Sequence, residues 1–246
     1  MIRRILPILL LWLAATPATA VECQSTDYSG TRYSFCTVDP TRENLRLFLR
    51  DADGVVYGHF TNIDTALAAN GQHLIFAMNA GMYHEDRAPV GLYLEDGKEQ
   101  MHLVPGSGPG NFGLVPNGVF CLRDGRADVI ETSQYLKNDP NCRDASQSGP
   151  MLVINGALHP RFLSDGTSKY IRNGVGTTRD GRRVVFVVSD MPVNFYDFGL
   201  FFRDFLKLPN ALYFDGNISR IYAPQLGRND IGFRLGPIVG VVEDAQ

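Results

Sequence analysis

The stretch IRNGVGTTRDGRRVVFVVSD, residues 171–190, decides the fold class. Val184 to Ser189 is dense in β-branched side chains, which suit a pleated surface better than a helix. Val175 to Thr178 precedes it, with Asp180-Gly181 between the two. Asp-Gly is the dipeptide of a tight hairpin turn, because both positions tolerate a positive φ. The two runs therefore predict neighbouring antiparallel strands.

The same punctuation recurs along the chain. Asp-Gly also stands at 53, 96, 124, 165 and 215, and Asn-Gly at 70, 117, 155 and 173. Val119 to Leu122 faces Asp128 to Glu131 across Asp124-Gly125. Asn44 to Leu49, Val90 to Leu94 and Met151 to Ile154 each run into such a turn, while His73 to Met78 and Ala211 to Phe214 read as buried strands. Helices are fewer. One is expected over Ile63 to Ala69, capped by Thr61 or Asn62 and stopped by Gly71. The other runs from Phe195 to Leu206, with phenylalanines at helical spacing that read as core. The expected architecture is α+β, a single domain with a large mixed or antiparallel sheet covered by a few helices.

Residues 1–20 stand apart. Arg3 and Arg4 precede an apolar run from Ile5 to Leu13, and Ala18-Thr19-Ala20 follows as a small-x-small site. That is the pattern of a secretory signal peptide, too short in its apolar part to span a bilayer. The expected domain is 21–246, with its core at 40–243, and the mature protein is exported, either periplasmic or secreted. Losing two arginines and no acids moves the net charge from -3 to -5. No polybasic run remains, so nucleic acid is a poor partner and no membrane insertion follows signal cleavage. Cys23, Cys36, Cys121 and Cys142 are even in number in an exported chain, which predicts disulfides. Of the three pairings, Cys23–Cys36 and Cys121–Cys142 are preferred, since each closes a short loop. No transition-metal spacing joins the histidines and cysteines. No obligate cofactor is expected, although Asp190, Asp215 and main-chain carbonyls are the oxygen type that suits calcium. The sequence sets no oligomeric state.

Several strand ends carry more polar chemistry than turns need. Asn79-Ala80-Gly81-Met82 ends one strand, and Pro89-Val90-Gly91-Leu92 follows it. Ser148-Gly149-Pro150 precedes the strand at Met151. Arg172-Asn173-Gly174-Val175-Gly176 opens the hairpin, Asp190 ends it, and Asp215-Gly216-Asn217-Ile218-Ser219 follows the Ala211 to Phe214 strand. His84 lies in a charged stretch that reads as a solvated loop tip. No nucleophile elbow, Walker loop or dinucleotide fingerprint is present.

Taken in order, these motifs resemble the phosphodiester glycosidase domain family, over roughly residues 40 to 243. Its lysosomal member removes N-acetylglucosamine from a sugar phosphodiester. The chain looks more like the compact bacterial branch. The family's late motif reads approximately Asp-Gly-Gly-Gly-Ser. Asp215, Gly216 and Ser219 match it, whereas Asn217 and Ile218 replace glycines. The resemblance implies substrate binding at Asn79, Gly81, Met82, Gly91, Ser148, Gly149, Arg172, Asn173, Gly216, Asn217 and Ser219, and catalysis at Asp215. Asp190 is the second candidate carboxylate, since it too ends a core strand and sugar C1–O cleavage usually takes a carboxylate pair. Arg172 is the expected cation for the phosphate. The implied function is an exported hydrolase acting on a glycosyl phosphodiester or related envelope glycan. The alternative is a non-catalytic glycan or peptidoglycan-fragment binding module that keeps the cleft.

Overall fold

The side chain of Phe186 lies where three β-sheets meet, its ring centroid 5.0 Å from Phe76 and 5.7 Å from Phe120. The structure is a computed structural model and describes residues 21–215 and 218–245. The expected signal peptide, residues 1–20, lies outside the described residues. Seven strands form one sheet in the order Val21–Tyr28, Thr31–Val38, Val184–Ser189, Asn173–Thr177, Asn210–Tyr213, Met151–Ile154 and Ala157–Leu158. A second sheet orders Arg228–Asn229, Ile221–Ala223, Gln72–Asn79, Ile238–Asp244 and Asn44–Phe48. A third orders Lys98–Met101, Tyr93–Glu95, Asp144–Ser148, Gly118–Arg123 and Arg126–Glu131. Pairing is antiparallel throughout these sheets.

The hairpin read from residues 171–190 is present, with Val175 opposite Phe186 and Thr177 opposite Val184. The single large sheet is not. Twisted open sheets of more than about ten strands tend to split and pack face to face, and here three smaller sheets enclose one core. Val184, Phe186 and Val188 point into it, as do Phe76, Val239, Phe120 and Leu212. The alternate residues Val185 and Val187 face outward onto a second cluster with Phe198, Phe201 and Phe202. Burial on both faces explains why this strand is apolar without alternation. The Val21–Tyr28 and Thr31–Val38 hairpin, which no sequence signal singled out, extends the same sheet ahead of residue 40.

Each sheet has one helix near its outer face. Phe60, Ile63 and Leu67 are the buried residues of the Phe60–Ala68 helix, which packs on Leu74 and Ile238. It starts three residues before the expected Ile63. Asn62 does not cap it, because its Nδ2 donates back to the Tyr57 carbonyl at 2.7 Å. Gly71 follows its end at φ +68, as expected of a helix stop. The Phe195–Leu200 helix is capped by Asn194, whose Oδ1 accepts the Asp197 N–H at 2.8 Å. It continues as a π-helical turn over Phe201–Phe205 rather than as ordinary helix to Leu206. In that turn Phe201 stacks on Tyr33 at 4.0 Å and on Phe205 at 5.0 Å. A third helix, Thr132–Asn138, has no apolar periodicity to announce it. Glu131 caps it by accepting the N–H groups of Ser133 and Gln134. Both expected disulfides are present, Cys23–Cys36 across facing hairpin positions and Cys121–Cys142 over 21 residues.

Candidate active site

The polar motifs meet at one end of the core because each sits where a strand of a different sheet ends or begins. Asn79 ends a strand of the second sheet and Ser148 a strand of the third, while Asn173 begins a strand of the first. Asp215 follows the adjacent strand Asn210–Tyr213. All three of Asn79, Ser148 and Asn173 are fully buried, so their side chains must find partners inside the protein. Asn173 donates through Nδ2 to the Asn79 main-chain oxygen at 2.8 Å, and its Oδ1 accepts the Asp215 N–H at 3.0 Å. Asn79 donates to the Ile218 carbonyl at 2.8 Å and accepts the Arg220 N–H at 2.9 Å. Ser148 donates to the Phe214 carbonyl at 2.7 Å. Three side chains read as substrate-binding are thus spent on the main chain of residues 214–220.

The motif glycines are places without room for a side chain. A Cβ at Gly81 would stand 2.6 Å from the Gln147 oxygen, at Gly91 2.5 Å from Gln147 Oε1, and at Gly149 2.6 Å from Asn117 Cβ. They let the strand ends approach closely. Met82 packs against the outer aromatic cluster. Gly216 and Asn217 lie outside the described residues. Ser219 Oγ stands 3.0 Å from the carbonyls of both Ile171 and Asp215, and its residue lines a cleft. His84 is exposed.

Two hydroxyls that feel the Asp215 charge, Tyr83 and Tyr213, are buried without partners, and each neighbours an arginine with a buried unpartnered nitrogen. Among the described residues seven such side-chain atoms occur, and five belong to Tyr83, Arg172, Tyr213 and Arg220. Burial, and then the Asp215 charge, push the Tyr83 hydroxyl up to about 12 against the opposing pull of Arg87 and Arg220. Burial likewise raises Tyr213, with Arg172 opposing and Asp215 adding. The Arg172 guanidinium couples to the Tyr213 hydroxyl, and Tyr83 comes near the Gly236 main chain, but the orphaned atoms of these groups lack hydrogen-bond geometry. An unmatched buried polar group costs about 1–3 kcal/mol. Unpartnered groups linked in this way, Tyr213 with Arg172 and Tyr83 with Arg220, are the chemistry of a site that a polar ligand can complete.

Arg172, the expected phosphate cation, does not line the cleft. It is fully buried, with its guanidinium carbon 3.6 Å from the Phe195 ring centroid. Its Nε donates to the Val193 carbonyl and its Nη2 to the Ser168 carbonyl. It ties these loops together under Tyr213. Arg220 is the guanidinium at the cleft whose buried nitrogens lack partners. It is 6 % exposed, its Nε and Nη2 have no partner, and burial lowers its pKa with Tyr83 and Asp230 opposing. Sequence reading passed over it and over Tyr83, although Arg220 directly follows Ser219.

Asp190 ends the Val184–Ser189 strand at the same sheet end as Asp215, with the Asn173–Thr177 strand between them. Both of its oxygens are engaged. Oδ2 accepts from Ser34 at 2.9 Å and Oδ1 from Arg228 at 2.6 Å, and Arg228 also pairs with Asp230 at 2.6 Å. Among the described residues no three His, Cys, Asp or Glu side chains come together as a metal site. Asp190, Ser219, Arg220 and Arg228 share walls of a cleft of about 490 Å3. A hollow of about 510 Å3 beside Arg126 and Asn210 contains none of the motif residues.

Comparison with known proteins bears on the family and the fold. The family model described as phosphodiester glycosidase matches residues 72–231. An uncharacterized Escherichia coli K12 protein, YigE, is 35% identical over 215 residues, covering 86% of this chain and 83% of its own. The structure is similar to the catalytic domain of zebrafish N-acetylglucosamine-1-phosphodiester alpha-N-acetylglucosaminidase, auto-inhibited by its pro-peptide, with TM-score 0.60, 16% identity and coverage of 92% of this chain and 85% of that one. A hypothetical protein from Synechocystis gives TM-score 0.61 at 12% identity, covering 89% of this chain and 61% of its own. At such identities the two structures speak for the fold alone.

Proposed function

Because the chain belongs to the phosphodiester glycosidase family, we propose that it is an exported hydrolase that cleaves the C1–O bond of a glycosyl phosphodiester. The observation that carries this reading is the pair of unpartnered buried hydroxyls, Tyr83 and Tyr213, within the field of Asp215, with the unpartnered Arg220 next to Tyr83. Two disulfides and the Arg3-Arg4 to Ala20 leader pattern support export.

The reaction adds water across the C1–O bond. The water oxygen bonds to C1 and the C1–O electron pair leaves with the phosphate. One water proton ends on the new phosphomonoester or in solvent. Asp215 is the carboxylate assigned to accept the proton from the attacking water and to face the positive charge that grows at C1. Phosphate is a good leaving group, so electrostatic stabilisation replaces a strong acid. Arg220 supplies that charge, and its unpartnered Nε and Nη2 are donors awaiting an anion. Tyr83, held well above neutral pH, stays protonated and donates to a phosphate or sugar oxygen. Asn79, Ser148 and Asn173 position the loop that carries both Asp215 and Arg220. The Asp190–Arg228–Asp230 cluster lines the same cleft as Arg220.

Asp215→Asn keeps size but removes charge and proton acceptance. Hydrolysis of a sugar-1-phosphodiester should fall at least about a hundredfold, with the melting temperature close to wild type. Asp96→Asn is the control, since Asp96 sits at φ +49 in a hairpin turn that asparagine also suits. An Asp215→Asn protein as active as that control removes Asp215 from the mechanism. Saturable substrate binding by the wild-type protein without turnover would instead favour a binding module.

A further inference from the structure

The Arg220 cleft is lined mostly by polar and charged side chains, but its rim carries exposed apolar ones. Nine large hydrophobic side chains are exposed among the described residues, and five of them are Tyr170, Ile171, Met191, Ile231 and Phe233. Ile171 and Ile231 line the cleft itself. Tyr170 adjoins Ile171, Met191 adjoins the wall residue Asp190, and Phe233 stands two positions after Ile231. Ile231 is 88% and Phe233 80% exposed, which is unusual for side chains that lose so much by facing water. Gly232 lies between them, and a Cβ there would stand 3.6 Å from Arg220 Nη1. The turn that displays these two side chains therefore lies directly over the unpartnered guanidinium.

A buried cation under an exposed apolar lip is complementary to one kind of ligand, an anionic group carrying a hydrocarbon. Resting on the phosphodiester reading above, we propose that the alcohol on the far side of the scissile phosphate is a hydrocarbon chain, held by Ile171, Met191, Ile231 and Phe233 while Arg220 holds the phosphate. A sugar or a polar alcohol in that position would leave the exposed Ile231 and Phe233 side chains in water. The substrate class is thus an amphiphilic glycosyl phosphodiester, taken as a single molecule from solution.

The test compares two N-acetylglucosamine 1-phosphodiesters, the methyl ester and the decyl ester, below the concentration at which the latter forms micelles. Wild-type kcat/KM should favour the decyl ester by about tenfold or more, since several methylenes leave water. In Ile231→Ser/Phe233→Ser, two exposed positions where folding is not at stake, the decyl-to-methyl ratio should collapse toward one. Binding of decyl phosphate and methyl phosphate is measured by calorimetry alongside. Equal rates on both esters overturn the hydrocarbon assignment and leave the phosphodiester reading standing. No turnover of either ester, with decyl phosphate bound more tightly than methyl phosphate in a manner lost in the double variant, supports the amphiphile site and overturns the hydrolase reading instead. Equal affinity for the two phosphates overturns the assignment, as does an apolar lip that serves only to bind phosphatidylglycerol vesicles or to dimerise the protein.

Discussion

The side-chain oxygen of Asn173 accepts the main-chain N–H of Asp215 at 3.0 Å, a contact between residues 42 positions apart. Through its other side-chain atom Asn173 holds Asn79, so one buried amide joins the end of the second sheet to the loop of the candidate carboxylate. Asn173→Ala leaves both partners buried and unmatched. It should cost on the order of 2 kcal/mol in urea unfolding and lower kcat more than it raises KM. Ser148→Ala, which frees only the Phe214 carbonyl, should do the same more mildly. Wild-type turnover in both variants would show that the network serves the fold alone.

Arg220 sets stability against activity. Replacing a buried cation whose Nε and Nη2 lack partners by an apolar side chain of similar length relieves its desolvation. Arg220→Met should therefore melt higher than wild type while KM for a glycosyl phosphodiester rises at least about tenfold. A variant that melts lower without loss of affinity would place Arg220 in the scaffold.

Glu95 gives the stability a pH dependence. Burial chiefly, with Asp144 and Asp96 adding and the Tyr93 hydroxyl bond opposing, raises its pKa from 4.5 to about 7. Between those values the folded protein binds more protons than the unfolded chain. Stability therefore falls as pH rises through that window, by an amount on the order of 2–3 kcal/mol, and levels off above it. Glu95→Gln keeps an acceptor for Tyr93, which donates at 2.8 Å, and removes the ionisation. Its unfolding free energy should be flatter over the window and higher than wild type at about pH 8. Parallel wild-type and variant profiles would sink this assignment.

The Cys121–Cys142 bridge spans 21 residues and should contribute about 3 kcal/mol by restricting the unfolded chain. Cys121→Ala/Cys142→Ala should lose that much in urea unfolding. Cys23→Ala/Cys36→Ala should lose slightly less, because its loop spans 13 residues. The opposite order would mean that residual structure in the unfolded chain, rather than loop length, governs the difference.

Much of the fold is local information. Asp180-Gly181 between β-rich runs, Asn155-Gly156 after Met151–Ile154 and the phenylalanine stripe after Asn194 are set by turn chemistry and side-chain period, which act within a few residues. The disulfide pairs follow from short spacing. The motif order likewise pointed to the strand ends that the structure brings together, among them those at Asn79, Ser148 and Asn173. What the sequence could not carry was the use to which each polar group is put. Asn79, Ser148 and Asn173 look alike as loop residues whether they face a sugar or a main-chain carbonyl. Arg172 and Arg220 look alike as cations. Only the closing of three sheets on Phe186 buries Arg172 against Phe195, engages both oxygens of Asp190 with Ser34 and Arg228, and leaves Tyr83 desolvated in the field of Asp215 with the unpartnered Arg220 next to it. Desolvation and partner choice depend on groups brought together from distant parts of the chain, such as Asn79 and Arg220, 141 positions apart, and no local pattern encodes that distance.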